Sequence, residues 1–141
     1  MRRFIVLAFA LVGLAACAPT GGLVVTENAR PIGGNLFLEP TSDGGSFLVL
    51  DGEITAETSF VFQAMAAAHD LPGLVIAQSP GGDLLAGQEI GRSIKRKGMN
   101  TLVVAACNSA CVDIFVAGKK REMIEGSQLG LHSATNRDVS Y

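Results

Sequence analysis

The segment AACNSACVDIF, residues 105–115, places a serine between two cysteines and offers two kinds of chemistry. The hydroxyl of Ser109 is a candidate nucleophile for acyl transfer, provided that a general base lies within hydrogen-bonding reach. Cys107 and Cys111 could instead supply thiol or disulfide chemistry. A purely structural interpretation is also open, because serine and asparagine are common N-caps and Ser109 or Asn108 precedes a helical pattern.

Two further features could complete a site for acyl transfer. In SPGGD, residues 79–83, the glycines let backbone N–H groups approach an oxyanion or a phosphate closely. The alternative is an ordinary strand–helix turn, since neither a Walker motif nor a dinucleotide fingerprint is present. His132 ends the short apolar segment LGLH and could act as general base toward Ser109. The alternative for His132 is a strand-end histidine without a catalytic role.

The elements that must position these residues alternate along the chain. Continuous apolar stretches predict strands in SFLVLDGEI, LVIAQ (74–78) and TLVVAA (101–106), and helical spacing predicts helices over 56–69, 84–98 and 109–118. On the first helix, the apolar residues Phe60, Ala64, Met65 and Ala68 recur at helical spacing. Short strands are also expected at 23–25 and 35–39, with ARPIGG as the turn between them, and in REMIE and LGLH. Apolar strands alternating with helices predict an α/β fold with a mostly parallel sheet.

The N-terminus has the pattern of an export signal. Two arginines precede an apolar run over 4–14, which is shorter than a membrane-spanning helix requires. LAAC, residues 14–17, resembles the bacterial lipobox, which implies that residues 1–16 are a lipoprotein signal peptide and that Cys17 is lipidated. The alternative is a plain signal peptide with an incidental cysteine. Because Ala18 rather than aspartate follows Cys17, we expect the protein in the bacterial cell envelope, lipid-anchored at the outer membrane and facing the periplasm.

Composition bounds the classes of protein that remain. A chain of 141 residues, 48% hydrophobic and 17% charged, suits one globular domain. Without residues 1–16 it carries 9 Lys and Arg against 13 Asp and Glu, a net charge of −4. No block of basic residues rises above the short KRK at 95–97. We therefore expect no nucleic-acid partner, because phosphate binding needs a concentrated positive face.

Four motifs together carry a resemblance. They are LDGEI (50–54), SPGGDLLAG (79–87), NSACVDIFVAG (108–118) and GSQLGLH (126–132). Their order and spacing resemble the Clp protease proteolytic subunit (ClpP) in the ClpP/crotonase superfamily, above all bacterial periplasmic ClpP-like proteins, which carry a serine between two cysteines. The resemblance covers residues 47–134 and implies a spiral of βαβ units.

The resemblance also implies roles for particular residues. Ser109 would be the nucleophile, His132 its base, and the backbone N–H groups of Gly82 and Ala110 the oxyanion hole. It further implies a peptide or protein substrate, no cofactor, and self-association, since relatives commonly form rings or trimers.

The chain departs from the family pattern after His132. The family's third triad residue is usually an aspartate well downstream, whereas this sequence ends at Tyr141 and offers only Asp138, which we do not assign. We therefore expect residues 17–45 to form a tether with short strands and residues 46–141 to form a ClpP-like domain that is incomplete at its C-terminus. The sequence is then either a fragment or a shortened, impaired relative.

Three interpretations of Cys107 and Cys111 remain open. In an exported protein they could form a disulfide that stiffens the turn around Ser109. They could also be two buried thiols, or a redox pair, although their spacing is not CxxC. A metal site is not expected, because only His132 lies near them in the sequence.

These features predict a membrane-tethered serine hydrolase of the cell envelope, a ClpP-like peptidase that uses Ser109 and His132. The alternative is a catalytically impaired ClpP-like lipoprotein that binds peptides or envelope partners.

Overall fold

The computed structural model describes residues 25–131. The expected signal peptide at residues 1–16, Cys17 and His132 lie outside the described residues. Within them the chain forms, in order, β1 (Arg30–Gly33), β2 (Leu36–Pro40), β3 (Ser46–Asp51), α1 (Ala56–Ala68), β4 (Gly73–Ser79), α2 (Leu84–Lys97), β5 (Asn100–Asn108), α3 (Ala110–Val116), β6 (Arg121–Met123) and β7 (Gln128–Gly130).

All of these strands belong to one sheet, in the order β1-β2-β3-β4-β5-β6, with β7 also paired to β5. The first three strands pair antiparallel, and β3 with β4, β4 with β5, and β5 with both β6 and β7 pair parallel. Along β5, β6 pairs with residues 101–103 and β7 with residues 106–108. The expected α/β class with a mostly parallel sheet is confirmed.

The three helices lie side by side on one face of the sheet, α1 against α2 and α2 against α3. Since the parallel strands follow one another in a single direction, right-handed crossovers put every connecting helix on the same side. The core lies between these helices and the strand residues that face them, namely Leu48, Leu50, Leu74, Ile76 and Val103. No helix in residues 25–131 combines the length and the apolar character needed to cross a bilayer.

Glycines set the distance between α2 and α3. A β-carbon at Gly87 would lie 2.7 Å from the carbonyl oxygen of Ala110, and one at Gly91 would lie 3.0 Å from that of Asp113. Such separations are shorter than a carbon–oxygen contact allows, so larger residues would push α2 away from α3. The close crossing keeps α3 in place behind the end of β5.

Helix α1 has the expected bounds. Phe62 and Ala66 are buried, whereas Phe60 is 75% exposed. The apolar spacing that predicted the helix therefore did not indicate which side is buried, because apolar residues occur on all sides of this helix. Polar contacts help to set its rotation: Ser59 donates to Glu89 on α2 at 2.8 Å, and the capping box of Thr55 and Thr58 starts the helix.

The segment ARPIGG, expected to be a turn, contains strand β1 instead. Pro31 is tolerated because β1 is an edge strand. No further strand lies on its outer side, so a backbone N–H missing there removes no hydrogen bond from the sheet. The turn itself is shorter and runs through Gly33, Gly34 and Asn35, all at positive φ.

The two phenylalanines of α1 provide a matched test of its orientation. Phe62→Ala should lower the free energy of unfolding by about 3–5 kcal/mol, because it empties a fully buried site. Phe60→Ala should change it by less than about 0.5 kcal/mol. Urea unfolding followed by circular dichroism measures both, and equal losses would contradict the observed rotation of α1.

Candidate active site

Ser109 lies at the corner where β5 ends and α3 begins. Its backbone has φ 54° and ψ −127°. Among residues 25–131 only Asn35 shares a positive φ without being glycine. These angles are those of the first central residue of a type II′ turn, a position that glycine dominates. A side chain there costs about 1–3 kcal/mol, so the surrounding structure must impose the conformation.

Three connections hold this corner. The N–H of Ser109 donates to the carbonyl of Gly130 on β7 at 2.8 Å, and the Ser109 carbonyl accepts from Val112 at 2.9 Å. Cys107 and Cys111 form a disulfide with their Cα atoms 5.3 Å apart. Of the three open interpretations, the one with two free thiols is therefore wrong. Both cysteines are fully buried, so the bridge ties the strand end to the first turn of α3 from inside.

The side chain of Ser109 is not used as a helix cap. Ser109 occupies the N-cap position of α3, but within the described chain its side chain makes no capping hydrogen bond. The residue is half-buried rather than enclosed. The structural interpretation of Ser109 as an ordinary N-cap is therefore wrong, and its hydroxyl is available for other chemistry.

The SPGGD loop reaches the same corner. A β-carbon at Gly81, where φ is +94°, would lie 2.7 Å from Cβ of Ser109 and 2.6 Å from the carbonyl oxygen of Asn108. No other residue type could approach so closely without moving the corner. The loop and the serine are thus in direct contact because residue 81 is glycine.

The segment after β3 fixes the other side of this loop. Ile54 donates to the carbonyl of Gly81 at 2.7 Å, and Asp83 donates to the carbonyl of Ile54 at 2.8 Å. These two bonds form a parallel bridge between Ile54 and Gly82 and leave the N–H of Gly82 outside it. The side chain of Asp83 caps α2 by accepting from Ala86 at 3.0 Å.

The structure thus brings together Ser109, Ala110, the Gly81–Gly82 loop and the Cys107–Cys111 disulfide. His132 lies outside the described residues, and the described chain reaches the corner through Gly130. Among residues 25–131, no group of three or more His, Cys, Asp or Glu side chains could hold a metal ion.

Sequence reasoning singled out the glycines of SPGGD but missed the contacts that Gly81, Ile54 and Gly130 make at this corner. A β-carbon at Gly130 would lie 2.1 Å from Oδ1 of Asn108, so the β5–β7 pairing at the corner needs glycine there. A signal was present, since glycine within a strand pattern often marks a close approach of another segment. The sequence alone did not say which segment approaches.

The comparisons with known proteins show a likeness to solved structures. No family model and no curated protein matches this chain. Among solved structures, it is similar to a point mutant of ClpP1 from Listeria monocytogenes, with 23% identity and a TM-score of 0.44. The similarity covers 57% of this chain and 52% of that one, so the chain spans about half the length of that ClpP1.

Gly81→Ala tests the contact between the loop and Ser109. It should lower the free energy of unfolding by about 2–4 kcal/mol, because overpacking against the corner adds to the strain of a positive φ. Gly44→Ala is the matched control: φ is +86° there, but nothing lies within 4 Å of the added carbon, so only the smaller strain remains. Denaturant unfolding measures both, and equal losses would argue against close contact.

A second pair of variants tests the strained backbone of Ser109. Ser109→Gly should be more stable than Ser109→Ala by about 1–2 kcal/mol, because only glycine adopts this backbone conformation without a β-carbon clash. Neither variant retains the hydroxyl, so their difference isolates the backbone. Thermal unfolding compares them, and the reverse order of stability would contradict the observed backbone geometry.

Proposed function

We propose that this protein is a serine hydrolase in which Ser109 attacks a carbonyl carbon to form a covalent acyl-enzyme. The observation that carries the proposal is the corner itself. There Ser109 has a positive φ, and its hydroxyl makes no hydrogen bond that caps α3. The residue lies directly against the glycine loop. Strained backbone at a strand-to-helix turn is typical of nucleophiles that must project from the end of a sheet.

Two backbone N–H groups are proposed to stabilise the oxyanion that this attack creates. Ala110 is the first residue of α3, where backbone N–H groups have no partner within the helix. The N–H of Gly82 lies outside the bridge with Ile54. Removing one oxyanion donor typically lowers kcat by about 10²–10³, so two such donors would contribute much of the rate enhancement.

His132 is proposed as the general base that removes the proton from Ser109. The support is the course of β7, whose Gly130 accepts a hydrogen bond from Ser109. Two Cα–Cα steps of about 3.8 Å separate position 132 from Gly130, so the chain need not travel far to bring an imidazole to the hydroxyl. The same histidine would then give this proton to the leaving group as its bond to the carbonyl carbon breaks, and water would later hydrolyse the acyl-enzyme.

The proposed substrate is an extended peptide, as the ClpP-like motifs imply. A cleft of about 340 Å³ next to the glycine loop supports this choice, since Phe60, Leu85 and Asp83 line it. Leu85 is 69% exposed, and an exposed apolar side chain in a cleft can hold an apolar substrate side chain. We further propose that lipid on Cys17 tethers the enzyme at the cell envelope and that copies of the chain self-associate.

Labelling with a fluorophosphonate probe tests the nucleophile. We expect one adduct per chain on Ser109, detected by intact mass and peptide mapping, and none in Ser109→Ala. His132→Ala should slow the labelling by about 10²–10⁴-fold, the usual contribution of a general base.

Ser46→Ala is the control, because Ser46 is exposed and lies far from the corner in the sheet. It should label as fast as the wild type. Folded protein that takes up no probe at all would overturn the proposal and leave the peptide-binding lipoprotein as the better description. Equal labelling of Ser109→Ala would place the reactive group elsewhere.

A further inference from the structure

The fold gathers six of the eight Lys and Arg residues between positions 25 and 131 into one cleft. Seven of these eight residues fall in the segments 92–97 and 119–121. The six that line a single open cleft of about 890 Å³ are Arg92, Lys95, Arg96, Lys97, Lys119 and Arg121. The sequence showed no basic block longer than three residues, so the expectation that no concentrated positive face exists does not hold for the folded chain.

The cleft lies at the far end of the sheet from Ser109. Arg121 pairs with Thr101 at the start of β5, whereas Ser109 follows the end of that strand. At about 3.3 Å per residue, roughly 25 Å of strand separates Thr101, and with it Arg121, from Ser109. The cleft therefore belongs to a different part of the molecule from the proposed active site.

Two negative helix ends and one carboxylate offset part of the positive charge of the cleft, and an excess of positive charge remains. The cleft contains the C-terminal ends of α2 and α3 and one carboxylate, Asp113. Each helix end carries about half a negative charge. Together with Asp113 they offset roughly two of the six positive charges, and roughly four remain.

The hydrogen bonds that these cations make are with neutral groups. Arg96 donates to the hydroxyl of Ser93 at 2.8 Å, and Arg121 donates to the carbonyl of Gly118 at 2.9 Å. Both bonds orient a guanidinium group without neutralising it. The arginines therefore remain free to form charge-assisted bonds with an anion.

We propose that this cleft binds several phosphate groups at once. A volume of about 890 Å³ is the size of a small-molecule site and exceeds what a single phosphate ion fills. Guanidinium groups match phosphate geometry, and lysines add mobile charge around it. Such phosphates can come from a soluble polyphosphate or from the headgroups of an anionic phospholipid surface.

The test compares the full chain with a variant carrying Lys95→Gln, Lys97→Gln and Lys119→Gln. Calorimetry with sodium tripolyphosphate measures the soluble source. Sedimentation with phosphatidylcholine vesicles, with and without phosphatidylglycerol, measures the lipid source. We expect the triple variant to bind at least one of the two probes roughly tenfold more weakly or worse, and added salt to weaken the binding of the wild type.

Arg30→Gln is the control, because Arg30 is the one described basic residue outside the two segments. It should bind within about twofold of the wild type, as expected for a single remote surface charge. Every variant keeps the same N-terminal segment, so lipid on Cys17 cannot produce a difference between them. If the triple variant unfolds, Lys119→Gln alone replaces it, because Lys119 lies outside α2 and α3.

The two probes separate the sources. Loss of tripolyphosphate binding in the variant would identify a soluble ligand, and loss restricted to phosphatidylglycerol vesicles would identify a membrane surface. No binding to either probe, or binding that the variants leave unchanged, would overturn the proposal. A duplex oligonucleotide that binds when neither probe does would also overturn it, in favour of an extended nucleic-acid surface. Fluorophosphonate labelling of Ser109 should be unaffected in all variants, since the cleft acts independently of it.

Discussion

The backbone of Ser109 is the point on which the surrounding structure depends. A side chain at its positive φ is unfavourable by about 1–3 kcal/mol, and the chain offsets this through contacts on three sides. The disulfide between Cys107 and Cys111 closes a very short loop around the serine, a constraint worth on the order of 2 kcal/mol in the chain-entropy model. The bond from Ser109 to Gly130 adds β7 to the same corner.

The corner also explains where the chain needs small residues. Gly81 touches the serine, Gly87 lies against Ala110, and Gly130 leaves space for Asn108. In each case a β-carbon would fall within 3 Å of a neighbouring atom, so a larger residue would force two elements apart. The glycine loop and β7, which lie far apart in the sequence, therefore both contact the corner at Ser109.

The proposed active site and the basic cleft lie at opposite ends of the sheet. The serine lies at the carboxyl ends of the parallel strands, and the basic cleft lies at their amino ends. Helix α3 connects the two, because it begins after Ser109 and ends at Val116, which lines the cleft. In the two proposals, one end would bind phosphate groups and the other end would bind the substrate.

The sequence by itself determined the α/β class, the order of the elements from β3 onward and the position of Ser109 at a strand–helix corner, because these follow from local periodicity and turn residues. It left open whether the cysteines pair, and the short distance across the corner decided that. Only the tertiary structure decided that Phe62 rather than Phe60 faces the core, that Gly81 touches Ser109, and that two basic segments share a cleft. These features depend on distances between residues far apart in the chain, and spacing along the sequence carries no information about such distances until the sheet brings the segments together.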